Sequence, residues 1–195
     1  MRWEKIIETT SAANEVRRQA EGTLFADRTL GVTIVLSRVM LDLKRLMRLE
    51  MEETLEHRED ILRIAEASFT YDRRFNLTPD CDPAVRHMEL KKWVDGLGLT
   101  WVALLKGRPV GFMNLKPVDG KPDTLAYHLV AVEEKYRLSG AALGLYAKGI
   151  EVARERGYQK LVGRISSQNV AVMNIYAMFG AQFSEPQDIF LKEMT

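Results

Sequence analysis

The spacing of apolar residues along this chain changes repeatedly, and each change marks an element. Ile61, Leu62, Ala65 and Phe69 recur at helical spacing and predict a helix over 59–69. Asp82-Pro83 supplies an N-cap and a first-turn proline, so a second helix is predicted from there to about Asp95, ended by Gly96 and Gly98. Trp101–Leu105 reads as a strand, Lys106-Gly107-Arg108-Pro109 as a hairpin turn, Val110–Lys116 as the return strand and Asp119-Gly120-Lys121-Pro122 as a second turn. The apolar run from Leu125 to Val132 reads as a buried strand over 124–132. Leu143, Tyr146, Ala147, Ile150 and Ala153 then return to helical spacing, which predicts a helix over 140–156 capped by Gly157. A strand at Leu161–Ile165 follows. A helix over 168–179 begins near Gln168 or Asn169 and ends at Phe179-Gly180-Ala181, and a strand at about 187–192 closes the chain. The second half therefore reads β-β-β-α-β-α-β, a mixed α/β arrangement.

The first half is less regular. Residues 10–21 have weak helical character, and Gly22 ends them. Alternation over 23–39 predicts one long bent strand, or two strands with Gly31 between them. Residues 40–58 are rich in Leu, Met, Glu, Lys and Arg and read as a helix or a charged connector. A helix over 39–55 would present Met40, Leu43, Leu46, Met47, Leu49 and Met51 to the core or to a partner. Residues 70–82 read as a loop. The organisation is that of a β-rich N-terminal extension, residues 1–45, followed by the main domain, residues 46–195.

Composition narrows the class. A hydrophobic fraction of 46% over 195 residues is enough for a soluble globular core. Twenty-eight basic and 27 acidic residues leave a net charge of +1, which gives no support to a nucleic-acid partner. The single Cys81 rules out an intrachain disulfide and fits a reducing compartment. The N-terminus lacks the apolar core of a signal peptide, and no apolar run approaches the roughly 20 residues needed to span a bilayer. The expected setting is cytoplasmic, with no membrane and no nucleic acid. No CxxC or HExxH spacing points to a metal.

The candidate chemistry begins at Tyr136-Arg137-Leu138-Ser139-Gly140-Ala141-Ala142, between a predicted strand and a predicted helix. Such a junction offers unpaired backbone N–H groups, little side-chain bulk and the positive end of a helix dipole, which together suit a diphosphate. There is no Lys-Ser/Thr after the glycines, so this is not a Walker A loop, and Gly-x-Gly-x-x-Gly is also missing. A second block follows at Asn169-Val170-Ala171-Val172-Met173-Asn174-Ile175-Tyr176-Ala177-Met178-Phe179-Gly180-Ala181. Arg-x-x-Gly-x-Ala followed by Asn-x6-Tyr-x3-Gly-Ala resembles the Gcn5-related N-acetyltransferase (GNAT) superfamily over about residues 59–192.

The resemblance implies a mostly antiparallel mixed sheet, a V-shaped splay between two parallel strands, flanking helices and acetyl-CoA as co-substrate. It implies backbone contacts from Val130 and Val132 to the acetyl and pantetheine part. Arg137, Leu138, Ser139, Gly140, Ala141, Ala142 and Leu143 would line the pyrophosphate, and Asn169 would bond near the pantetheine arm. Tyr176 would protonate the departing thiolate. Leu138 departs from the family's usual glycine, which puts the approach of the cofactor in question there. His128, two residues before Val130, is a candidate base. Glu133 and Glu134 are alternatives that look like solvated charges, and deprotonation through water is a further one.

The acceptor side is read from Ser68-Phe69-Thr70-Tyr71-Asp72-Arg73-Arg74-Phe75-Asn76, with Asp80, Asp82, Lys91 and Trp93-Val94 beyond it. This block resembles the dTDP-fucosamine acetyltransferase-like subgroup. That implies a nucleotide-linked amino sugar as acceptor; the residue types suit it, with Arg73 and Arg74 able to pair with a diphosphate and Tyr71 or Phe75 to stack on base or sugar. Asn76 stands where that subgroup would have His. Another small amine, a protein N-terminus and a non-catalytic acyl-CoA-binding module stay open, as does a homodimer.

Overall fold

The computed structural model describes residues 29–39, 42–46, 49–69 and 81–184. Its strands are β1 (Thr29–Val35), β2 (Glu50–Glu53), β3 (Thr100–Leu105), β4 (Arg108–Val118), β5 (Lys121–Val132), β6 (Lys160–Ser166) and β7 (Gln182–Ser184). Its helices are α1 (Leu43–Leu46), α2 (Arg58–Ser68), α3 (Pro83–Asp95), α4 (Ala141–Glu155) and α5 (Val170–Met178), with 3-10 turns at Leu36–Arg38 and Glu134–Ser139. The strands form one sheet in the order β2-β3-β4-β5-β6-β1-β7. Ladders β1–β6, β1–β7, β2–β3 and β3–β4 are antiparallel, and β5–β6 is parallel. The class is α/β, and the second half follows the predicted order from β3 through α5; the strand after α5 is β7 at Gln182–Ser184, ahead of the predicted 187–192.

By its internal contacts the chain divides into two units, and the division falls within β4, β5 and α4. In the unit formed by 42–116 and 128–149, α2 and α3 cover the sheet with Ile61, Ile64, Ala65, Leu90 and Val94. These pack on Val102, Leu104, Phe112, Leu129 and Ala131. Helix α3 starts as its sequence predicts: Asp82 Oδ1 accepts from the backbone N–H of Ala84 (2.8 Å) and Val85 (3.3 Å), and Pro83 takes the first turn. His87 Nδ1 lies 2.6 Å from Glu66 Oε1 and ties α3 to α2.

In the other unit, β1 runs through Gly31 without a break and ends at Val35, where the 3-10 turn Leu36–Arg38 replaces the strand predicted to continue to 39. Leu30, Val32 and Ile34 are buried while Gly31, Thr33 and Val35 are half-buried, and Gly31 stays in register opposite Arg164. Both faces of the period-2 pattern are thus satisfied without a break. Strand β1 pairs with β6 on one side and β7 on the other.

The described residues within 39–55 do not make one helix. They contain the single turn α1 and then β2, whose Glu50, Met51, Glu52 and Glu53 pair with Leu104, Ala103, Val102 and Trp101. Tertiary pairing overrides helix propensity here. The 3-10 turn Glu134–Ser139 stands where a plain loop is read from sequence. The predicted helix over 10–21, the residues 23–28 of the alternation and the predicted strand at 187–192 lie outside the described residues.

Candidate functional site

The strand-to-helix junction is built around Glu133 and Gly140. Glu133 is the last residue before the 3-10 turn. Its backbone N–H donates to Val110 O at 2.9 Å, and its carbonyl accepts from the Tyr136 N–H at 2.9 Å. Its side chain is 7% exposed, in contact with Arg63 Nη1, with Lys135 Nζ at 3.3 Å and Arg108 Nη2 at 3.8 Å. This corrects the sequence reading of Glu133 as a solvated charge: three cations, remote in sequence from one another, compensate its burial. Glu134 is 88% exposed, as expected of it. With its oxygens engaged by cations, Glu133 is an anchor for the start of the turn.

Gly140 closes the turn with φ 87°, a left-handed conformation in which a side chain would be strained. Its carbonyl accepts the first intrahelical bond of α4, from the Gly144 N–H at 2.9 Å. The amides of Ala141, Ala142 and Leu143 therefore form the first turn, where a helix leaves N–H groups without intrahelical acceptors. Ser139 Oγ accepts from the Ala141 N–H at 3.3 Å and donates to Tyr136 O at 2.7 Å. Among the described residues Lys106 is the one non-glycine residue with positive φ, so Leu138 has an ordinary backbone. The Leu138 side chain is fully exposed. Arg137 Nη1 lies 4.0 Å from Glu134 Oε1.

Strand β5 carries His128, Val130 and Val132 toward this junction. His128 and Val130 are half-buried, whereas Leu129 and Ala131 are buried in the helix-covered core. Trp93 Nε1–H donates to His128 Nε2 at 3.3 Å. The indole nitrogen can only donate, so Nε2 is the acceptor and the neutral ring carries its proton on Nδ1. The Trp93 ring lies 6.1 Å from Phe112 and 6.2 Å from His128 between centroids. Sequence reasoning placed Trp93 on the acceptor side but missed this bond, which joins residues 35 positions apart.

The parallel ladder between β5 and β6 runs through Thr124↔Lys160, Leu125↔Leu161 and Ala126↔Val162. It stops there, although β5 continues to Val132 and β6 to Ser166.

Asn169 and Tyr176 belong to the other unit, on the α5 segment. Asn169 is the N-cap, its Oδ1 accepting from the Val172 N–H at 3.3 Å, so its side-chain NH2 group is what can donate to a ligand. Tyr176 is 2% exposed and meets Tyr127 edge-on, with 6.0 Å between ring centroids. Its hydroxyl lies over Gly163, 2.5 Å from where a Cβ would stand. Gly163 was read only as part of a strand, although a glycine inside a strand pattern is itself a signal of close approach. Arg73, Arg74 and Phe75 lie outside the described residues. No described helix is long and apolar enough to cross a membrane.

Residues 58–181 match the model of the acetyltransferase (GNAT) family. Comparison with curated proteins gave no match. Among solved structures, the chain is similar to an acetyltransferase from the GNAT family of Colwellia psychrerythraea, at 14% identity and a TM-score of 0.63, covering 83% of this chain and 55% of that one. The chain thus spans about half the length of the Colwellia protein. It is similar to an N-acetyltransferase from Staphylococcus aureus Mu50, at 20% identity and a TM-score of 0.55, covering 68% and 82%. It is also similar to a ribosomal-protein-alanine N-acetyltransferase from Brucella melitensis, at 25% identity and a TM-score of 0.50, covering 66% and 81%. With a seven-stranded sheet holding one parallel pair, and a family match over more than half of its length, the chain belongs to the GNAT family of acetyltransferases.

Proposed function

We propose that this protein transfers the acetyl group of acetyl-CoA to a primary amine, and that the amine belongs to a nucleotide-linked amino sugar. Family membership implies acyl transfer from acetyl-CoA. The observation that carries the cofactor half is the Gly140 junction, where a left-handed glycine opens α4 with its first-turn amides at the end of β5. Those amides, on Ala142 and Leu143 above all, suit the pyrophosphate. The Leu138 side chain is fully exposed and its backbone ordinary, which leaves it free to turn aside from an approaching pyrophosphate. Val130 and Val132 would pair through their backbone with the pantetheine arm, and Asn169 would donate to it. In this reading residues 46–195 carry the acetyltransferase module, and 1–45 is an addition.

The chemistry needs few groups. The neutral amine attacks the thioester carbonyl carbon, the C–S bond breaks, and the sulfur takes the proton of the Tyr176 hydroxyl. Water removes the proton from the new ammonium-like nitrogen and restores the tyrosine. Orientation and backbone amides polarising the carbonyl supply most of the acceleration. His128 Nε2 is engaged by Trp93, which favours water over His128 as the proton acceptor.

The amino-sugar acceptor rests on the Tyr71–Asn76 block, with Arg73 and Arg74 on the diphosphate. A second reading, acetylation of a protein N-terminus, is favoured by the likeness to the Brucella ribosomal-protein-alanine enzyme. Thiol release from acetyl-CoA should be measured with amino sugars, nucleotide-linked amino sugars, polyamines and peptides. Release with the nucleotide-linked sugars is the expected result, and replacing Arg73 and Arg74 by Ala should raise that acceptor's KM. Release with peptides alone would select the second reading. Uptake of acetyl-CoA without release to any amine would leave a binding module.

A further inference from the structure

We propose that Gly163 is a positioning residue for the Tyr176 hydroxyl, and that the missing side chain at 163 is what places that hydroxyl for proton donation. The proposal rests on the reading of Tyr176 as the acid. A glycine inside a strand forfeits side-chain packing and costs backbone entropy, so its presence in the middle of β6 needs a local reason. No turn supplies one: Gly163 sits in register opposite Val32, between the buried Val162 and the half-buried Arg164.

The reason lies across the strand. A Cβ at 163 would stand 2.5 Å from Tyr176 Oη, a separation that real Cβ atoms do not show. It would stand 3.4 Å from Tyr176 Cζ and 3.8 Å from Tyr127 Cβ, both ordinary van der Waals contact. The collision is therefore with the hydroxyl and not with the ring. A phenylalanine at 176 would tolerate alanine at 163, so it is the hydroxyl and not the ring that requires this glycine. Tyr127 holds the ring edge-on from the side, and burial leaves the ring little freedom to yield. Any side chain at 163 must push the hydroxyl away from its present place.

A double-mutant cycle tests this, with Gly163→Ala, Tyr176→Phe and the double variant. Thermal midpoints are read alongside thiol release from acetyl-CoA with the most active amine of the panel above. Gly163→Ala should lower kcat by about tenfold or more, because an acid displaced by an ångström loses most of its effect. The KM for acetyl-CoA should stay within about twofold, since uniform binding is untouched. Gly163→Ala should also lower the thermal midpoint in the wild-type background. In the Tyr176→Phe background it should change neither quantity. Equal losses in both backgrounds would overturn the proposal, as would wild-type turnover in Gly163→Ala when Tyr176→Phe is slow. Wild-type turnover in Tyr176→Phe would instead overturn the acid reading, and this proposal with it. If Gly163→Ala does not fold, the double variant must, because the colliding atom is gone; failure of both would overturn the contact.

Discussion

At the scale of single residues, burial and partner choice distinguish look-alike side chains. Glu133 and Glu134 are adjacent and chemically identical, yet one is 7% exposed among three cations and the other 88% exposed. His128 is similar: its place on β5 follows from alternation, but its hydrogen-bond role depends on Trp93 from α3. The indole N–H holds Nε2 as an acceptor, so His128 should show the Nδ1–H tautomer in its neutral form. Replacing Trp93 by Phe removes the donor, and the ring should move to the Nε2–H tautomer. Nitrogen-15 chemical shifts of the imidazole report this directly. An Nε2–H ring in the wild-type protein would refute the bond.

At the scale of elements, one close approach governs how β4 meets the end of β5. A Cβ at Gly111 would stand 2.8 Å from Ala131 O and 2.9 Å from Val132 Cγ2, with Leu145 Cδ1 of α4 at 3.3 Å. The first of these is backbone and cannot rotate away. Gly111→Ala should therefore cost about 1–3 kcal/mol, the usual range for overpacking. For a chain of this size that lowers the thermal midpoint by about 2–4 °C per kcal/mol, measurable by a melting scan. The shift would fall on β5 next to Val132 and Glu133, so weaker acetyl-CoA binding should accompany it. Elements also show where local pattern misleads. The Leu- and Glu-rich stretch before Arg58 has the composition of a helix, but β3 offers an edge, and Glu50–Glu53 pair with it instead. Three acidic residues on that edge strand oppose pairing with another chain.

At the scale of the molecule, acid stability has an identifiable contributor where the parallel ladder begins. Asp123 accepts from the Thr124 hydroxyl at 2.8 Å and from Lys160 Nζ at 3.0 Å, and its carbonyl accepts from the Gln159 N–H. The Thr124 hydrogen bond first, and Lys160 second, hold its carboxyl below the ordinary 3.8. A depressed folded value means that the charged form is favoured on folding. The contribution is thus present above about pH 3.8 and fades as pH falls through the folded value. Asp123→Asn should be less stable than wild type at neutral pH, and the gap should close in denaturant titrations below that pH. A gap unchanged down to strongly acid pH would exclude this origin.

Much of the fold was legible because its signals are local. The Asp82-Pro83 start of α3, the turns around Gly107 and Gly120, the Gly157 cap and the start of α5 near Asn169 each depend on a few neighbouring residues. So did the order of elements in the second half and the two motifs that identify the family. What needed the tertiary structure depends on residues far apart in sequence. Strand β1 takes its place between β6 and β7 because its buried face, Leu30, Val32 and Ile34, finds partners more than 120 positions away. The burial of Glu133, the Trp93 bond to His128 and the hydroxyl of Tyr176 over Gly163 share that character. Periodicity and caps report what a segment prefers by itself. Which charge is compensated, which nitrogen is occupied and which glycine leaves room for a hydroxyl are decided only when distant segments meet.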